Sequence, residues 1–134
     1  MAKLAIYTEP GEIPAQVLDD ISQLGGALDL ICAEHPDKHV LVRLVNELND
    51  ELMVGLGPTA GSVTITLAFG EAVYTALGEA GFANSLPKIS FEWAGQRFKM
   101  APENLLPVEV VRKIVDRWMQ ERTRDEALKW EVCN

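Results

Sequence analysis

Cysteine, histidine and positive charge are scarce in this sequence of 134 residues, and each shortage removes a class of function. The two cysteines, Cys32 and Cys133, lie far apart and in no metal-ligand spacing, so neither a zinc ribbon nor a disulfide framework is expected. Two reduced thiols in a cytoplasmic protein is the expectation. The two histidines, His35 and His39, are separated by Pro36, which keeps a helix from carrying both on one face. No third ligand stands at motif spacing, so no metal is expected. No apolar run approaches the ~18 residues that span a bilayer. The stretch from Met1 to Glu9 carries one lysine and a short apolar segment, too little for a signal peptide. Neither a membrane nor a secreted location is expected.

Lys and Arg number 12 against 20 Asp and Glu, a net charge of −8. The imbalance is uneven. Residues 1–67 hold ten acids against Lys3, Lys38 and Arg43, whereas residues 68–134 hold ten acids against nine bases. Between Arg43 and Lys88 there is no base at all. Such a surface repels nucleic acid, which binds through Lys and Arg that displace counterions. It attracts a basic partner and speeds encounter with it.

Catalytic signatures are lacking as well. Ser22, Ser62, Ser85 and Ser90 stand in no Gly-x-Ser-x-Gly elbow. The run from Gly55 to Gly61 leads into a strand and not a helix, with no base nearby, so it reads as a hairpin loop and not a phosphate cradle. The carboxylate pairs Asp19-Asp20, Asp50-Glu51 and Asp125-Glu126 are adjacent, and adjacent side chains point apart on a strand or a helix. No enzyme activity and no cofactor are expected.

What is present is the patterning of one globular domain over residues 1–134, with 48% hydrophobic and 24% charged residues. Leu4-Ala5-Ile6-Tyr7 reads as a strand stopped at Glu9-Pro10-Gly11. Ile13, Val17, Ile21, Leu24, Leu28 and Ile31 follow helical spacing. The Gly25-Gly26 pair leaves two solutions: one long weakened helix, or an extended piece followed by a helix capped at Ser22. Strands are expected at residues 40–45, 52–56, 62–67 and 73–77. A hairpin, 89–93 with 96–100, turns at Ala94-Gly95. A helix opens at Pro107 with Val108, Val111, Val115 and Trp118 as its apolar stripe. Leu128, Trp130 and Val132 alternate as a last strand. Trp118 and Trp130 read as core anchors, and Trp93 as either a sheet-packing residue or an interface anchor. The fold class is α+β, a mainly antiparallel sheet with helices packed on one face.

This order of elements ends in Pro107 to Met119, a short polar gap, and Leu128-Lys129-Trp130-Glu131. It resembles the first-numbered family of immunity proteins of bacterial polymorphic toxin systems, over roughly residues 20–132. The resemblance implies an antitoxin-like inhibitor that binds a cognate toxin domain, a nucleic-acid deaminase or nuclease. Such toxins carry basic clefts, and the carboxylates Glu47, Asp50, Glu51, Glu71 and Glu79 are the candidate contacts, with Tyr74 or Trp93 as an apolar anchor. The expected partner is a toxin with a basic surface, and the chain is a monomer or homodimer. Two other readings stay open: a small regulatory or scaffold domain that binds another protein, and a small-molecule-binding domain with a ligand between sheet and helices.

Overall fold

Alternating apolar residues produce nine strands in the computed structural model, which describes residues 4–9, 13–67, 73–79, 81–86, 89–121 and 129–133. In chain order they are β1 (Leu4–Tyr7), β2 (Gln16–Leu18), β3 (His39–Asn46), β4 (Glu51–Leu56), β5 (Ser62–Thr66), β6 (Val73–Leu77), β7 (Ser90–Trp93), β8 (Gln96–Lys99) and β9 (Lys129–Cys133). They form one open sheet in the order β2-β1-β3-β4-β5-β6-β9. β7 joins it beside β3, and β8 pairs with β7. All pairings are antiparallel except β3 with β7, where His39 and Val40 run parallel to Phe91 and Glu92. β1 takes residues 43–46 on the same side of β3. This is the expected α+β class.

Two helices, α1 (Leu24–Glu34) and α2 (Val108–Glu121), cover one face. Their Leu24, Ala27, Leu28, Val111, Ile114, Val115 and Trp118 pack on Ile6, Val42, Leu44, Val54, Val63 and Ile65 of the strands. Fully burying such an aliphatic side chain stabilises the fold by about 1.5–3 kcal/mol. Arg112 of α2 ties the two helices together. It donates to Asp29 Oδ1 at 2.7 Å and to the Gly25 carbonyl at 3.3 Å.

The helical spacing from Ile13 to Ile21 does not continue α1 backwards. Of the two solutions the extended one forms: Ala15 N–H donates to the Ile6 carbonyl, and β2 pairs with β1. Ile13 and Val17 are exposed rather than part of a buried stripe. The cap is not Ser22 but Asp20, whose carboxylate accepts from Ser22 N–H at 3.0 Å and starts a short 3-10 turn, Ile21–Gln23, that runs into α1. The sharp β7–β8 turn has φ +52° at Ala94 and +78° at Gly95, both in the left-handed region that suits a two-residue hairpin. Before α2, residues 101–107 wrap around one end of the sheet. Gly61 and Leu106 exchange backbone hydrogen bonds at 2.9 Å there, and the Pro107 carbonyl accepts from Val110 and Val111.

Candidate protein-binding face

The registers fix what the face opposite the helices presents. Val17, Ala5, Tyr7, Arg43, Val45, Glu51, Met53, Thr64, Thr66 and Thr75 are cross-strand partners in turn and so share it. One end of this face is covered. There Leu41, Ala60, Phe91 and Leu105 form a second apolar cluster, against which Phe82, Leu86, Met53 and Trp93 pack. The other end stays partly exposed: Tyr7, Arg43, Val45, Glu51 and Thr64 are half-buried, while Val17 and Thr66 are exposed.

Arg43 organises this open end. It is the one Lys or Arg on β1 to β5. Its guanidinium carbon lies 4.5 Å from the Tyr7 ring centroid, and its Nε donates to Glu51 Oε1 at 2.7 Å. A stacked, ion-paired guanidinium is held in one geometry before any partner arrives, which lowers the ordering cost of binding. Tyr and Arg flanked by Val45 and Val17 are the residue types that dominate interface energetics.

Carboxylates rim that end. Leu4 pairs with both Leu18 and Asn46, so Asp19 and Asp20 emerge from β2 beside the turn that carries Glu47. Asp19, Asp20 and Glu47 are exposed, and Glu51 is half-buried. The turn itself is built on Asn46, whose Oδ1 accepts from Leu48 N–H at 3.0 Å and Asp50 N–H at 2.9 Å. Asn49 takes φ +63°, which its short polar side chain tolerates.

The candidate contacts therefore separate. Glu47 and Glu51 come together at the open end. Asp50 does not face a partner: it is fully buried, and its Oδ2 accepts from Asn46 Nδ2 at 3.1 Å, which makes it a structural group of the turn. Tyr74 lies on the helix-covered face against the main cluster. Trp93 packs on the second cluster, in line with the sheet-packing reading. Glu79 is exposed but follows β6 at the opposite end of the sheet. Glu71 lies outside the described residues. Sequence reasoning missed Tyr7, Arg43, Asp19 and Asp20 as a group, because strand pairing alone joins them.

At the covered end, His39 is wedged between elements. Its Nε2 lies 2.9 Å from Thr59 Oγ1, and its ring meets Phe91 edge-on at 5.6 Å between centroids. A Cβ at Gly57 would collide with that ring. Desolvation lowers the His39 pKa below 6.5. His35 sits on the α1 C-terminus, apart from it. Among the described residues no three His, Cys, Asp or Glu gather to hold a metal ion, and no helix is long and apolar enough to cross a membrane. No protein-family model matches the chain, and no curated protein matches it.

Proposed function

We propose that the chain is an immunity protein that binds a cognate secreted toxin domain and neutralises it by occupying its substrate cleft. The carrying observation is the open end of the sheet, where an ion-paired, ring-stacked Arg43 is rimmed by Asp19, Asp20, Glu47 and Glu51. A toxin that attacks nucleic acid, as a deaminase or a nuclease, needs a basic cleft for phosphates. Asp19, Asp20 and Glu47, in the connections at the end of the sheet, offer that cleft the same charge, and Tyr7, Val45 and Val17 add apolar contact area. The inhibitor acts stoichiometrically and turns over no substrate.

Co-expression tests the reading. The chain is produced with the C-terminal domain of the large secreted protein encoded by a neighbouring gene, and growth is scored. Rescue by the wild type, lost with Val45→Glu and weakened with Glu47→Lys, supports the proposal. Failure to rescue, or rescue unchanged in Val45→Glu, overturns it. Binding to an endogenous protein without growth protection favours the regulatory or scaffold reading.

A further inference from the structure

The end of the sheet away from the acidic rim carries a second surface of opposite character. β8 is exposed at all four positions and, among the described strands, pairs only with β7. Its outer edge presents backbone N–H and C=O groups to any strand laid beside it. Arg97 and Lys99 project from the same face of β8.

Of the described bases four are ion-paired, while Arg97, Lys99, Lys113 and Lys129 are not, and of these four only Arg97 and Lys99 share one strand. Lys38, Arg43, Arg112 and Arg117 each have a carboxylate oxygen within 3.5 Å. Arg97 and Lys99 have no ion pair among the described residues, although acids outnumber bases 20 to 12. Glu92 stands directly across from Arg97, yet its ion pair is with Lys38 at 3.5 Å. Where β8 ends, a cleft of about 300 Å³ opens with Leu86, Ile89, Met100 and Leu105 in its walls and Lys99 beside them. A lysine on an edge strand also discourages edge-to-edge aggregation, but that role needs no apolar cleft in line with the strand.

We infer that the β8 edge binds an extended acidic segment of another protein as an added strand, with its carboxylates against Arg97 and Lys99 and one apolar side chain in the cleft. Charge complementarity selects this occupant over a second copy of the chain. An antiparallel β8–β8 pairing would set Arg97 and Lys99 of one copy against those of the other, and like charges directly opposite destabilise a sheet. The inference is independent of the toxin-binding reading, whose surface lies at the far end of the sheet.

The test uses the full chain and a fluorescein-labelled peptide of alternating Glu and Val, with a Lys–Val peptide as comparison. Fluorescence anisotropy should show saturable binding of the Glu–Val peptide with a Kd on the order of micromolar, and no comparable binding of the Lys–Val peptide despite the net charge of −8. Joint Arg97→Glu and Lys99→Glu substitution should weaken it at least tenfold. Lys113→Glu, an exposed change on α2, should alter it less than twofold. Arg97→Gln with Lys99→Gln removes the charge conservatively and should fall between. Absence of saturable binding, equal loss in Lys113→Glu, or a dimer in light scattering that the β8 substitutions dissolve would each overturn the inference.

Discussion

Asp50→Ala should cost the fold about 2–3 kcal/mol while leaving the proposed binding surface intact. The magnitude follows from the β3–β4 turn. The Asp50 side chain is fully buried, and its carboxylate accepts the Asn46 amide at 3.1 Å. Hydrogen bonds to charged groups are worth about 1.5–3 kcal/mol, and an orphaned donor adds its own penalty. A small cavity adds further to the loss. Asn46→Ala should cost at least as much, because Oδ1 alone accepts from two backbone N–H groups. Since the two residues share one network, the double variant should be less destabilised than the sum, by about 1–2 kcal/mol. Urea denaturation followed by tryptophan fluorescence measures this, and thermal melts should show Asp50→Ala lowered by roughly 6–12 °C. Glu47→Lys, on the same turn but exposed, should stay within about 0.5 kcal/mol of the wild type. If Asp50→Ala changes stability by no more than Glu47→Lys, or if the two turn substitutions add, the assignment of Asp50 to the fold is wrong.

Other outcomes follow from the covered end of the sheet. Ala94 holds φ +52°, a conformation that asparagine adopts more readily, so Ala94→Asn should stabilise by about 0.5–1 kcal/mol in the same denaturation assay. His39 has a lowered pKa through desolvation, so the unfolded chain takes its proton first. Stability should therefore fall as pH drops from 6.5 towards the lower folded-state pKa, and His39→Gln should flatten that part of the profile. Gly57→Ala should destabilise by about 1–3 kcal/mol, since the His39 ring must move, and added His39→Ala should recover part of the loss.

Alternation made much of the fold legible. β5 forms over Ser62–Thr66, and α2 buries Val111, Val115 and Trp118, because period-two and period-3.6 patterns there have single solutions. Residues 13–21 were ambiguous, since apolar residues spaced by four fit a helix as well as loosely spaced contacts along an extended chain. Pairing with β1 decided between them, and that is not a local property. The parallel seam of β3 with β7 is likewise invisible locally. Within the candidate site, charge alone marked Glu47 and Glu51. It could not separate them from Asp50, whose burial is set by the Asn46 turn. The stacking of Arg43 on Tyr7 arises from the β1–β3 register, which joins residues distant in sequence.

The central claim, stoichiometric occupation of a basic cleft through the open end of the sheet, is tested most directly by titration. A toxin domain identified by rescue in the co-expression test is assayed on its nucleic-acid substrate while the chain is added in increments. The account predicts a linear fall to zero activity at one equivalent, with Val45→Glu abolishing inhibition and Glu47→Lys slowing association and reducing its salt dependence. Full inactivation at a small fraction of an equivalent, or inhibition unchanged by both substitutions, would contradict it.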